Sequence, residues 1–344
     1  MNAKVKAMPL RLVDIAALAG VSRITVSKVL LGTGGANTRV SAATRKKIQA
    51  IAAAANYRPN MAARMLTGKG SGIIGAIIDS EAPAIYFDCL RHMEKAVAEK
   101  GYRLMIAQQH ENVDSIFAHA MDFSAYGAEG VISFAHGYPE LKDQITEFMR
   151  CMPNVVYIGK PDLKNAALVK VDIESGVRAL LGHLLQKGRK RLGIFLADLA
   201  RTTIRQRYNG YRQALRAAGM ALDESLVLID DVFKRVNDEN VEKIINRLVI
   251  NNKVDAIVAQ NDLFAARIIS SLLKKGYRVP GDVAVTGFDD QPFAEAFIPA
   301  ITTVRQPIES VAREAVGMLH EMISGVRRGR SISIKPELIV RESA

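Results

Sequence analysis

The stretch LVDIAALAGVSRITVSKVLLG, Leu12 to Gly32, reads as two short helices joined by a tight turn. Leu12, Ile15, Ala16, Ala19 and Val21 recur at the spacing that buries one helix face. Gly20 falls where the chain must turn sharply, in a conformation that a Cβ resists. Ser22 is placed to cap the second helix by accepting one of its orphan N–H groups. Val26, Val29 and Leu30 then point inward, leaving Arg23, Ile24, Ser27 and Lys28 on the outer side. A helix of this kind fits a DNA major groove and presents its first turn to base edges.

Charge supports that partner. The chain has 344 residues and a formal charge of +12, but residues 1–70 carry 12 Lys and Arg against one acid, Asp14. The remaining 274 residues are close to neutral. A small basic segment on a large neutral one points to a polyanion. A membrane-binding basic arm would want aromatic anchors, and residues 1–70 contain one aromatic, Tyr57.

Three blocks follow one another, with expected domains at 1–58, 59–72 and 73–344. In the first, a third helix starts at Ser41, a second cap candidate, and turns Ile48 and Ile51 inward. Arg39, Ser41 and Thr44 join the outer face as phosphate-contact candidates, as do Thr25 and Ser27. The second block, YRPNMAARMLTGKGSG, holds a helix of under two turns between Pro59 and three glycines. A helix so short is marginal in water, so this linker is expected to fold only when held.

The third block alternates strand and helix. Strands are predicted at 73–79, 103–108, 130–135, 155–159, 191–197, 255–260 and 283–288. Helices are predicted at Phe87–Lys100, Ser175–Lys187, Arg205–Ala218, Leu263–Lys275 and Ile308–Ser324. Short apolar strands between amphipathic helices predict parallel sheets covered on both faces, and the length predicts two α/β lobes. Ligands of such sheets bind beyond the carboxyl ends of the strands, which two lobes can turn toward one cleft.

Taken in order, these segments resemble the LacI/GalR family of bacterial transcription regulators over essentially the whole chain. DIAALAGVSRITVSKVL resembles that family's helix-turn-helix, NYRPNMAARMLTGKG its hinge, and VPGDVAVTGFDD a late strand and loop of its sensor. ITTVRQP and PELIVRES resemble its closing segments. The resemblance implies an all-α helix-turn-helix headpiece on a two-lobed, periplasmic-binding-protein-like sensor. It further implies a cytoplasmic homodimer that acts as a repressor on a palindromic operator and answers to a small, sugar-like effector. Two departures stand beside the DNA-reading unit: Leu31 replaces the family's usual Asn, and the loop Gly32–Arg39 is two or three residues longer than usual.

Under this resemblance Arg23 and Ile24 discriminate bases, with Lys28 one turn later. Leu66 enters the minor groove as an apolar wedge, Asn60 caps the hinge helix, and Ala63 lets a paired helix approach. The expected effector contacts are Asp79, Ser80, Tyr86, Phe87, Arg205, Asn261 and Asp289. Asp262 reads equally as a helix cap, and Asp172 reads as a cap before a ligand contact. The two cysteines, Cys89 and Cys151, lie in apolar patterns and read as core.

Enzyme readings find no support. The glycine-rich runs GTGGAN and GKGSG lack P-loop order. The six histidines show no metal-ligand spacing, and no nucleophile elbow is present. Neither a cofactor nor a metal is expected. A sugar-binding transport protein would share the two-lobed fold, but it would need a secretory signal and would not need residues 1–70. A sugar-modifying enzyme is a more distant reading, to be recognised by turnover of its ligand.

Overall fold

The computed structural model describes residues 10–32, 39–55, 57, 70–80, 82–109, 113–134, 152, 154–159, 163 and 165–344. The chain divides into two compact units, Met1–Ile73 and Ile74–Ala344. The expected hinge contacts Asn60, Ala63 and Leu66, and Cys151, lie outside the described residues.

The described part of the first unit is three helices: α1 (Leu12–Ala19), α2 (Arg23–Leu31) and α3 (Ala42–Ala54). Gly20 ends α1 with φ 69° and returns its N–H to the carbonyls of Ala16 and Ala17. That left-handed position is why glycine stands there. Ile15, Val26 and Ile48, one from each helix, are fully buried together with Ala16, Ala19 and Ala52. Burying each such large side chain stabilises the unit by about 1.5–3 kcal/mol. Val29, Leu30 and Ile51 pack against this core only partly buried. Leu31, one of the two family departures, is buried.

The second unit begins with strands β1 (Ile73–Asp79), β2 (Arg103–Gln109), β3 (Gly130–Ser133), β4 (Val155–Ile158) and β5 (Leu168–Val171). Next come β6 (Leu192–Leu196), β7 (Val227–Ile229), β8 (Ala256–Val258) and β9 (Ala284–Thr286). Last are β10 (Thr303–Arg305), β11 (Ser331–Ile334) and β12 (Glu337–Ile339). One sheet has the order β11-β5-β4-β3-β1-β2 and a second the order β7-β6-β8-β9, while β10 and β12 form an antiparallel pair. The inner strands are mostly apolar, as β6 shows with five consecutive buried residues, because helices cover both faces.

The chain passes between the sheets three times. After β5, helix Ile173–Gln186 packs on helix Thr202–Ala217 and on β8 of the second sheet. After β10, helix Ile308–Ile323 returns to lie on helix Ala84–Glu99 of the first. β11 then joins the first sheet and β12 leaves it for β10. Asp172 marks the first crossing as the N-cap of helix Ile173–Gln186, its carboxylate accepting the Ser175 N–H at 3.1 Å.

Five strands were not anticipated: β5, β7, β10, β11 and β12. Three of them are only three residues long, and β5 and β11 carry Lys170 or Ser333 among their apolar residues, so neither forms a continuous apolar run. Helices Val113–Ala125 and Asp238–Ile244, the latter continuing as a π-helical turn to Asn251, were also missed. The expected helices are present; four start one to three residues earlier, as Ala84–Glu99, Ile173–Gln186, Thr202–Ala217 and Asp262–Lys274, and Ile308–Ile323 starts where expected.

Candidate nucleic-acid and effector sites

On the first unit, α2 opens with a complete cap. Ser22 Oγ accepts the Thr25 N–H at 3.1 Å and lies 2.9 Å from Thr25 Oγ1. Ser41 and Thr44 repeat the arrangement at α3, at 3.1 and 2.8 Å. Three of these four hydroxyls, Thr25, Ser41 and Thr44, are expected to meet phosphates, and together with Ser22 they order two helix N-termini, each of which points a positive dipole end outward.

Arg23 and Ile24 follow the first cap and are exposed, Ile24 to 61%. Arg39 is also exposed. Ser27 and Lys28 are half-buried, which places them at the flank of this face and not on its crest. The only acid of the segment, Asp14, binds the Arg11 backbone N–H at 2.7 Å, with the Arg11 side chain 3.5 Å away. Those contacts, the backbone bond first, hold its carboxyl below the ordinary range and set the Arg11 cation beside it.

On the second unit, side chains from both sheets meet. Tyr86 sits in helix Ala84–Glu99, just after β1, and its ring lies 5.5 Å from Phe134 beyond β3. From the second sheet come Arg207, in helix Thr202–Ala217, and the segment after β9 with Phe288 and Asp289. The Arg207 guanidinium carbon stands 4.3 Å over the Phe288 ring, and Nη2 is 4.0 Å from Asp289 Oδ1. Gln306 Nε2 donates to the same oxygen at 2.6 Å. Arg207 Nε is buried and has no hydrogen-bond partner among the described residues. A narrow pocket beside these groups is lined by Val177, Ile194, Leu196, Arg207, Gln260 and Phe288.

Burial dominates the electrostatics. It pushes the Asp289 carboxyl up to about 6, with the Arg207 charge and the Gln306 bond acting the other way. It lowers the Arg207 pKa against the pull of Asp289. It also raises the Tyr86 hydroxyl, a shift that the nearby Arg207 charge opposes. A partly neutralised acid, a cation with a donor to spare and flanking aromatic faces can bind a small polar ligand in a site shielded from water.

The expected contacts divide accordingly. Tyr86 and Asp289 are brought together. Asp79 and Ser80 stand half-buried at the carboxyl end of β1. Phe87 turns outward, 36% exposed, and the aromatic partner of Tyr86 is Phe134. Arg205 is exposed, and its guanidinium donates to the Leu199 and Ala200 carbonyls at 3.1 Å each. Arg207 occupies the place expected of Arg205. The signal was available: Arg207 falls in the buried stripe of its helix with Ile204, Tyr211 and Ala214, at helical spacing. Asn261 is the N-cap of helix Asp262–Lys274, accepting the Phe264 N–H at 3.0 Å. Asp262 is therefore not the cap; it is a fully buried acid. Among the described residues no group of three His, Cys, Asp or Glu could hold a metal ion, and no helix is long and apolar enough to cross a membrane.

Comparison with known proteins agrees with the fold. Residues 11–60 match the family described as bacterial regulatory proteins, lacI family, and residues 181–344 match a periplasmic binding protein-like domain. The HTH-type transcriptional regulator DegA of Bacillus subtilis is 30% identical over 336 residues, covering 96% of each chain. The HTH-type transcriptional repressor PurR of Haemophilus influenzae is 28% identical over 335 residues, covering 96% of this chain and 97% of that one. Among solved structures, a CelR–cellobiose complex aligns with a TM-score of 0.70 at 27% identity, covering 97% of this chain and all of the other. The Lac repressor dimer bound to operator shares the fold with a TM-score of 0.82 at 22% identity, over 97% and 99% of the two chains. The chain belongs to the lacI family of bacterial regulatory proteins, DNA-binding transcription regulators controlled by small-molecule effectors.

Proposed function

We propose that the protein is a cytoplasmic homodimeric repressor. Its first unit reads a palindromic operator through Arg23, Ile24 and Lys28, and Ser22, Thr25, Ser27, Arg39, Ser41 and Thr44 hold phosphates. The observation that carries this reading is the exposed Arg23–Ile24 pair on a capped helix, in a segment holding nearly all the excess charge of the chain. The Lac repressor dimer on its operator supports the twofold arrangement. Residues 59–72 serve as the hinge, with Asn60, Ala63 and Leu66 in the roles that the family resemblance implies.

The effector is a small polar metabolite of sugar-like chemistry, a class that the CelR–cellobiose complex supports. Tyr86, Arg207 and Asp289 are its central contacts, with Asp79, Ser80 and Asn261 at the rim. An effector of this kind works only by binding the two conformations of the sensor differently. No catalytic role is assigned to the cleft.

The test has two arms. Selection from random duplexes by the full-length protein yields a palindrome with two half-sites about one helical turn apart; an asymmetric site or no site defeats the DNA reading. A thermal-shift screen of sugars, sugar acids and nucleobases finds a ligand that raises the melting temperature and changes operator affinity. A ligand whose thermal shift survives Arg207→Met defeats the placement of the site.

A further inference from the structure

Asp262 is fully buried at the start of its helix. Its Oδ1 accepts the Thr303 hydroxyl at 2.5 Å, and its Oδ2 accepts the Gln291 N–H at 2.7 Å. Its own N–H donates to the Phe288 carbonyl at 3.0 Å. Gly287 completes the fit, because a Cβ there would overlap Oδ1. One carboxyl is thus fastened on two sides. On one side is segment 287–291, which carries Phe288 and Asp289. On the other is β10, the strand that leads into the crossing to helix Ile308–Ile323.

The segment needs such an anchor. Asp289 and Asp290 hold φ values of 110° and 55°, in the left-handed half of the map that side chains disfavour. The Gln291 bond closes the chain immediately after this pair. The Asp289 N–H donates to the Val304 carbonyl at 2.9 Å, so the loop also lies directly along β10.

We propose that Asp262 is a positioning residue that ties the Asp289 loop to the crossing strand β10, so that the two shift as one body when the cleft is occupied. The proposal rests on Asp289 being an effector contact. The charged groups facing Asp262 are Asp289 and Asp290, whose like charges oppose its ionisation. Arg207 offsets the first, and Arg305 and Arg341 pair with the second at 2.7 and 2.8 Å. Burial pushes the Asp262 carboxyl up to about 7, against the Thr303 and Gln291 bonds. Ionisation makes both bonds charge-assisted and therefore shorter and stronger.

Amide NMR of the full-length protein from pH 5.5 to 8.5, without any effector, tests this directly. The Gln291 and Val304 amides are expected to shift together with one midpoint near 7. Asp262→Asn abolishes the component near 7 at both amides and leaves any component near 6, which belongs to Asp289. Asp289→Asn keeps the shared transition and lowers its midpoint, because a like charge is gone. If Asp262→Asn fails to fold, Thr303→Val serves instead: the transition persists at Gln291 and disappears at Val304. Separate wild-type midpoints for the transition near 7 at the two amides, a transition near 7 surviving Asp262→Asn, or a Val304 response near 7 surviving Thr303→Val each overturn the proposal. No ligand enters this experiment, so a misplaced effector site shows in the Arg207→Met thermal shift and leaves these titrations unaffected.

Discussion

The Arg207 guanidinium carbon lies over the Phe288 ring, 4.3 Å from its centre, and Nη2 reaches to 4.0 Å from the Asp289 carboxylate. The aromatic face receives a nearly buried cation, and the carboxylate supplies its countercharge. Removing the cation alone leaves Asp289 buried and unpaired. Arg207→Met is therefore expected to destabilise the sensor by about 3 kcal/mol. Arg207→Met combined with Asp289→Asn recovers most of that loss, because neither charge remains to be buried. Thermal or urea unfolding of the two variants checks the difference, and equal losses would mean that the pair is not coupled. Arg205→Ala removes exposed contacts to Leu199, Ala200 and Thr202 and should cost under about 1 kcal/mol while leaving ligand-induced stabilisation intact.

The pH dependence of stability has a definite sign. The folded-state pKa values of Asp262 and Asp289 are raised to about 7 and about 6, above the ordinary value near 3.9. The stability that each contributes is fully present below its unfolded value and is lost as pH rises through its folded value. Asp282, held down to about 2 by Arg278, is already ionised throughout this window and adds no slope there. The melting temperature is thus expected to fall between pH 5 and pH 8, and Asp262→Asn to flatten that fall. A wild-type melting temperature that rises over this interval would contradict the buried placement of both acids.

The arrangement of the first unit was legible because short-range rules determine it. Gly20, Ser22 and Ser41 each signal a turn or a cap by their own chemistry, and the apolar spacing around them leaves one way to pack three helices. The alternation of sheet and helix was legible for the same reason. The cleft was less so, because its contents depend on helix phase. The resemblance points to Arg205 through RQRYNGY, which holds a second arginine two residues on. Residues two apart on a helix face nearly opposite ways, and Arg207 is the one that falls in the apolar stripe with Ile204 and Tyr211. Asp262 and Phe134 acquire meaning only through partners far away in sequence, Thr303 for the first and Tyr86 for the second.

The doubled role of Ser22 can be separated by substitution. Ser22→Ala removes the acceptor for the Thr25 N–H and should cost the headpiece about 1 kcal/mol. Ser22→Asp keeps an acceptor at the N-cap and adds favourable charge at the helix N-terminus, so stability is retained. The same charge repels a phosphate. Ser22→Asp is therefore expected to melt like the wild type yet bind duplex DNA at least tenfold more weakly. Unchanged binding would confine Ser22 to the cap and remove it from the interface.

Arg23 offers the sharpest test of sequence reading. Its neighbour Ile24 is 61% exposed and has no hydrogen-bonding group, so polar discrimination at the first turn of α2 falls to the guanidinium. A bidentate bond to guanine O6 and N7 discriminates by roughly 1–3 kcal/mol. Arg23→Ala should relax preference at one base pair in each half-site, measured by binding to a set of single-base operator variants. A phosphate contact behaves differently: its loss weakens every sequence alike and lowers the slope of log affinity against log salt by about 0.9 per phosphate. Arg39→Ala is expected to follow that second pattern, since Arg39 lies exposed beyond α2. If the two variants gave the same profile, base reading would have to be assigned elsewhere on the helix, to Ile24 or Lys28.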